Sequence, residues 1–164
     1  MILATVGTQL PFFRFIKALD QIARNHDLDI VAQTCKNYDD AERIKQQPFL
    51  SPETFETMAR QADLIVGHAG IGTILSAERL NKPLVLFPRI ASLGEHRNEH
   101  QLATAKAMSA RQGIYVAWNE EELRQHLTNG SLVPMTRHEA PTKAMLISEI
   151  ASFIKGKSSL NCAT

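Results

Sequence analysis

A chain of 164 residues with 18 Lys and Arg against 17 Asp and Glu carries a formal net charge of +1, which is one domain's length with enough residues for a proper core. Charges of both signs are scattered along it, so it has no basic face to ask for nucleic acid. Its two cysteines, Cys35 and Cys162, match no metal or redox spacing and read as free thiols in a reducing compartment; with no basic-then-apolar leader and no apolar run near the ~20 residues of a membrane span, the expectation is a cytoplasmic protein that reaches a membrane only through a partner.

Ile2 to Val6 reads as a strand that opens almost at the first residue and ends at Gly7-Thr8-Gln9. Pro11 suits the first turn of a helix, where its missing N–H costs little. Phe12, Phe15, Ile16, Leu19 and Ile22 recur at helical spacing and should face a sheet, while Phe13 falls off that stripe and is a candidate interface residue. Asp29 to Thr34 is a second strand. Cys35 to Ser51 is polar and irregular, with a short strand or a helical turn around Ile44. Pro52 opens a helix through Met58 and Ala62, with Ser51 as its N-cap.

Leu64 to Val66 is a short apolar, branched run, as suits a strand buried on both faces of a parallel sheet. Gly67, Gly70 and Gly72 follow, and then the helical pattern Ile74, Leu75, Ala77 and Leu80. A buried strand that breaks through glycines into a helix leaves backbone N–H groups free at the helix start, an arrangement that holds phosphate. Such glycines also serve the backbone alone, where positive φ or close packing requires them. The order is G-x-x-G-x-G rather than G-x-G-x-x-G, and Phe87 and Pro88 stand where a dinucleotide fold has its ribose-binding acid. NAD is therefore not indicated.

Leu84 to Phe87 is another buried strand, Pro88 to Glu95 a loop, and His96 to Arg111 a long helix stopped by Gly113. Ile114 to Val116 makes one more strand and Glu120 to Leu127 a short helix. After a turn-rich connection, Lys143 to Lys155 forms a final amphipathic helix with Met145, Leu146, Ile150 and Phe153. Residues 1–155 are thus one domain, and 156–164 a polar tail that frays. Alternating strands and helices mean an α/β domain, Rossmann-like, with a mostly parallel sheet, helices on both faces and right-handed crossovers. Ligands of such sheets sit beyond the carboxyl ends of the strands, where Gly7-Thr8-Gln9, Gly67 to Thr73 and Arg89 to Gln101 can converge.

Three segments in this order, Val6-Gly7-Thr8-Gln9, His68-Ala69-Gly70-Ile71-Gly72-Thr73 and Gly94-Glu95-His96-Arg97-Asn98-Glu99-His100-Gln101, resemble the C-terminal, donor-binding half of family-28 glycosyltransferases. The resemblance runs over about residues 1 to 128 and is strongest to the small single-domain subunits of two-part UDP-sugar transferases, among them those that extend dolichol-linked sugar and those that build bacterial exopolysaccharide. It implies the fold of the C-terminal half of a GT-B enzyme. It also implies transfer of a hexose (GlcNAc, glucuronate, galactose or glucose) from a UDP-sugar to a lipid-linked acceptor, with no cofactor and no metal required. A second, membrane-associated subunit would bind the acceptor, because one such domain alone leaves its cleft open to water, which hydrolyses rather than transfers; alone, the chain could pair as a homodimer.

The resemblance also assigns roles. Gly70, Gly72 and Thr73 resemble the loop that holds the diphosphate at a helix N-terminus, and Gly7, Thr8 and Gln9 the first-strand loop facing phosphate and sugar. Arg89, His96, Glu99, His100 and Gln101 fall on the donor side, with His100 and Gln101 where a related peptidoglycan lipid transferase has paired glutamines for the sugar. Arg89 or Arg97 could meet a glucuronate carboxylate through a guanidinium fork. The family's ribose-binding glutamate is replaced by Ser76, and Glu78 lies about 200° around the helix from it. His68, at the end of a buried strand just before the phosphate turn, is the candidate catalytic side chain; its structural alternative is a core histidine with one backbone hydrogen bond. Two further readings stand beside these: a non-catalytic nucleotide-sugar-binding accessory subunit, and a zinc peptidase. The latter would rest on His96-Arg97-Asn98-Glu99-His100 as H-x-x-E-H, with Glu139 or Glu149 as third ligand.

Overall fold

Parallel strands buried on both faces read as near-continuous apolar runs, and the central strands of this sheet are buried at every position. The computed structural model describes residues 1–136. Its strands are β1 (Ile2–Thr5), β2 (Ile30–Gln33), β3 (Lys45–Gln47), β4 (Leu64–Gly67), β5 (Leu84–Leu86) and β6 (Ile114–Val116). The helices are α1 (Phe13–His26), α2 (Pro52–Gln61), α3 (Ile71–Arg79), α4 (His100–Met108) and α5 (Glu120–Thr128). All strands pair in parallel in the order β3-β2-β1-β4-β5-β6. The expected helix over 143–155, the tail 156–164, Cys162, Glu139 and Glu149 lie outside the described residues.

Period-two alternation sorts the core into two halves. Ile2 and Ala4 of β1, Leu64 and Val66 of β4, and Val85 with Phe87 pack on one side with Phe12, Phe15 and Leu19 of the α1 region and Leu123 of α5. Leu3, Ile65, Leu84 and Leu86 point the other way, onto Ala59 of α2, Ile74 and Ala77 of α3 and Ala105 of α4. The helical stripe expected of α1 is therefore buried, and Phe12, Phe15 and Phe87 form an aromatic cluster with centroids 5.4 to 5.9 Å apart. Phe13 is 54% exposed, as its place off the stripe implies.

Several boundaries move for identifiable reasons. The short strand near Ile44 is β3, held only by pairing with β2. Pro11 stands ahead of α1, not in its first turn: its carbonyl accepts from Arg89 Nη1 at 2.7 Å, and Phe12 has φ −139°. α3 starts at Ile71 with Gly70 as N-cap, ahead of the third glycine. The expected helix over 96–111 is shortened at both ends. Gly94, with φ +71°, closes a 3-10 turn over Ala91–Leu93, and Asn98 Oδ1 accepts from His100 N at 3.3 Å. Local side-chain bonds of this kind compete with the helix.

Candidate functional site

In this strand order the chain leaves β1 first toward β2 and β3, then returns to the other side of β1 with β4. The crevice between the carboxyl ends of β1 and β4 is the switch point at which doubly wound sheets bind ligands. Two glycine turns flank it. Gly7, after β1, has φ +81°, a conformation natural to glycine, and its N–H donates to Thr5 Oγ1 at 3.0 Å. Thr5 in turn donates to Gln33 Oε1 at 2.9 Å. The imidazole of His68, after β4, fills the space between the turns: a Cβ on Gly7 would lie 2.9 Å from its Cε1, and one on Gly70 2.3 Å from its Nε2.

Burial, aided by the nearby charge of Arg89, pushes the His68 pKa down to about 4, so the ring is neutral at pH 7. The Thr5 carbonyl opposes that shift without meeting the geometry of a hydrogen bond to the ring. Nδ1 is buried with no hydrogen-bond partner among the described residues.

The start of α3 opens onto the same space. The Gly70 carbonyl takes the N–H groups of Thr73 (3.1 Å) and Ile74 (3.2 Å), and Gly70 N donates to the His68 carbonyl at 2.8 Å. The N–H groups of Ile71 and Gly72 meet no acceptor among the described residues, and nothing lies within 4 Å of where a Gly72 Cβ would be. Two unpaired donors at the positive end of a helix dipole, worth about half a charge, form an anion seat. Gly72, with Gly70 and Thr73, lines a cleft with a volume of about 570 Å³.

Arg89 is 1% exposed and binds no carboxylate among the described residues. Its Nη1 donates to the carbonyls of Pro11 (2.7 Å) and Glu95 (3.3 Å), its Nη2 to those of Val6 (3.0 Å) and Leu10 (2.6 Å), and it stacks 4.4 Å over the Phe12 ring. Glu95, the nearest acid, is spent on Arg14, whose Nε and Nη2 it accepts at 2.7 and 2.8 Å, and on Ile90 N at 2.8 Å. The loops after β1 and β5 are thus tied through one buried cation that adds positive potential to the cleft. The guanidinium nitrogens expected to face a sugar carboxylate are occupied by carbonyls.

The cleft wall includes, of the residues expected from sequence, Gly7, Thr8 and Gln9 after β1 and His68, Gly70, Gly72 and Thr73 around the second turn, with Arg89, His96 and Gln101 on the β5 side. Gln101 is buried and its Oε1 accepts from Arg89 N at 3.1 Å. Glu99 and His100 are not in the wall: Glu99 precedes α4 and its Oε2 accepts from Ala91 N at 3.3 Å, and His100 is exposed. His96 lies outside α4, so the two histidines of the H-x-x-E-H reading share no helix face. Sequence reasoning missed the wall formed by Phe49, Leu50, Pro52 and Phe55, with Glu56 and Arg79, while Ser76, which the resemblance put at the ribose position, lines the same cleft. The wall's only sequence signal was the Pro-Phe-Leu-Ser-Pro run after a strand too polar to recognise.

Fold and cleft together define a doubly wound α/β domain with unpaired helix-start amides at its switch-point crevice. Residues 1–156 match the family described as the glycosyltransferase family 28 C-terminal domain, and the chain belongs to that family. Among solved structures, an NMR structure of ALG13 is similar with a TM-score of 0.57 at 19% identity, over 81% of this chain and 87% of that one. MurG of Acinetobacter baumannii is similar at 0.59 and 22%, over 80% and 42%. The UDP-GlcNAc 2-epimerase of Methanocaldococcus jannaschii, solved with UDP-GlcNAc and UDP, is similar at 0.60 and 12%, over 93% and 45%. At these identities the likeness is one of fold. The chain spans 33% of the kitacinnamycin glycosyltransferase to which it is also similar, and no curated protein matches it.

Proposed function

We propose that this chain is the donor-binding part of a glycosyltransferase that uses a UDP-sugar and delivers a hexose to a lipid-linked acceptor. The observation that carries the reading is the pair of unpaired N–H groups of Ile71 and Gly72 at the start of α3, where Gly70, Gly72 and Thr73 line the cleft beside the neutral His68 ring. The diphosphate lies across the start of α3, against Gly70, Gly72 and Thr73. Preorganised donors aimed at a developing charge are worth roughly 3 kcal/mol each in other enzymes, so the departing UDP is stabilised without calling on a metal or other cofactor. The apolar wall of Phe49, Leu50 and Phe55 takes the flat base. The hexose then extends toward Gln9, His96 and Gln101, whose amide and imidazole groups suit hydroxyls; Thr8 and Gly7 border its path.

His68 serves as a neutral hydrogen-bond donor at the phosphate-sugar junction. With a pKa of about 4 it is a poor base at pH 7, so the base for the acceptor hydroxyl comes from a second surface that closes over the cleft and excludes water. That surface belongs to a membrane-associated subunit, which keeps this chain at the inner face of the membrane. Among the described residues no helix is long and apolar enough to cross one. The weak basicity of His68 at pH 7 favours a second reading, a nucleotide-sugar-binding accessory subunit.

Calorimetric titration with UDP, the four UDP-hexoses and inorganic pyrophosphate tests the donor reading. UDP and one UDP-hexose should bind, and Gly72→Asp should abolish binding by setting a carboxylate in the anion seat. No binding of any UDP species overturns the reading. Turnover of a lipid-linked acceptor by the reconstituted pair of subunits, unchanged by His68→Ala and Gln101→Ala, would favour the accessory role.

A further inference from the structure

Arg14 stands where a cation is unfavourable. It is the second residue of α1, facing the positive end of the helix dipole, and no acidic residue shares that first turn to offset it. Residues that contradict their local preference mark places where something other than the helix is being specified. Here that is a contact with Glu95, on the loop between β5 and α4. Arg14 Nε donates to Glu95 Oε1 at 2.7 Å and Nη2 to Oε2 at 2.8 Å, a two-pronged, charge-assisted geometry. The two side chains are only 20% and 12% exposed. The guanidinium also lies 4.2 Å from the centre of the Phe87 ring and donates through Nη2 to the Pro88 carbonyl at 3.1 Å.

Neither Arg14 nor Glu95 lines the cleft, yet the next residue, His96, does. Glu95 is held at all of its polar atoms. Oε2 also accepts from Ile90 N at 2.8 Å, the Glu95 N–H donates to the Ile90 carbonyl at 3.3 Å, and the Glu95 carbonyl accepts from Arg89 Nη1 at 3.3 Å. The loop from Ile90 is thereby closed on itself, and His96 leaves it from a fixed point. The run from His96 onward favours a helix, but α4 begins only at His100; the latch at Glu95 keeps His96 clear of it. The His96 ring then meets two oxygens at Nδ1, the carbonyl of Asn98 at 3.3 Å and its Oδ1 at 3.2 Å. Between two acceptors Nδ1 carries the ring proton, which leaves Nε2 to accept from a hydroxyl.

We infer that Arg14 and Glu95 are positioning residues for the sugar end of the donor: their ion pair holds His96 in the cleft and out of α4, and so acts on the hexose and not on the nucleotide. The inference rests on the donor reading above, in which the hexose extends toward His96. The test is calorimetry with UDP and with UDP-GlcNAc, UDP-glucuronate, UDP-galactose and UDP-glucose on the wild-type chain, Glu95→Gln, Arg14→Met, His96→Ala and the double variant of Glu95→Gln with His96→Ala. Glu95→Gln keeps the shape of the side chain, and Arg14→Met keeps an apolar stem on Phe87, so either one can answer if the other fails to fold.

Glu95→Gln and Arg14→Met should each weaken the UDP-hexose that the wild-type chain binds by about tenfold, the scale of one hydrogen bond, and leave UDP nearly unchanged. His96→Ala should show the same split, and the double variant should lose no more than either single change, because both act through one contact. In the NMR spectrum of the ligand-free variants, the Cα shifts of residues 96–99 should move toward helical values. Equal losses for UDP and UDP-hexose would mean that the pair only holds the fold, and they overturn the inference, as do losses that add in the double variant or Cα shifts that stay in place. UDP binding by the wild-type chain upholds the donor reading in each of those cases; a wild-type chain that binds no UDP species overturns both.

Discussion

His68 and the glycines beside it make the residue-scale chemistry of the cleft testable without any ligand. The folded His68 titrates at about 4 against 6.5 for the free side chain, so between those values the unfolded chain binds one more proton than the folded one. Stability is therefore full above pH 6.5 and falls as the pH drops toward 4, by up to about 1.4 kcal/mol per pH unit. Denaturant melts at pH 4.5 and 7 should show that slope, His68→Asn should flatten it, and an NMR titration of the ring near 6.5 would contradict it. The two glycines of the turn should behave oppositely. Gly70→Ala brings a Cβ to 2.3 Å from His68 Nε2 and should displace the ring, lowering stability by about 1–3 kcal/mol as overpacking does. Gly72→Ala meets open space and should stabilise the helix by up to about 1 kcal/mol. Nothing among the described residues asks for glycine at position 72; a ligand pressed against the backbone would.

At the scale of elements, the legible parts of the sequence were those whose signals were local. Ser51 before Pro52 announces α2, and the Ser51 hydroxyl does accept from Thr54 N at 3.2 Å. Ser51→Ala should cost about 1 kcal/mol, read from the shift of the chemical melting midpoint. The apolar runs at β1, β4 and β5 and the helical stripe of α1 were equally plain. β3 was not, because Lys45, Gln46 and Gln47 carry no strand pattern and become a strand only by pairing with β2. With that strand end hidden, the wall of the cleft that follows it, Phe49 to Glu56, could not be foreseen. The helix expected from His96 failed for the converse reason: its residues favour a helix, but Glu95 is drawn to Arg14 and Ile90, and Asn98 to the His100 amide. Those partners are distant in sequence or compete side chain against backbone, which periodicity does not register. Glu99 and His100 were assigned to the donor side by the resemblance alone, and neither lines the cleft.

Across the whole molecule, strand order and family agree with the reading of alternating strands and helices, since order β3-β2-β1-β4-β5-β6 brings the turns after β1, β4 and β5 to one edge. A ligand that binds only the folded chain raises its stability by about 2.7 kcal/mol at a hundred times its dissociation constant, so a nucleotide in this crevice should lift the whole melt, not a part of it. Arg89 adds a consequence for motion. One guanidinium grips carbonyls at Val6, Leu10 and Pro11 and another at Glu95, so neither segment can swing away from the sheet while the other stays. Deuterium uptake at Val6, whose amide is bonded to Gln33, and at Gly94, whose amide is bonded to Ala91, should then rise through a single shared opening event, with matched rates and matched sensitivity to denaturant.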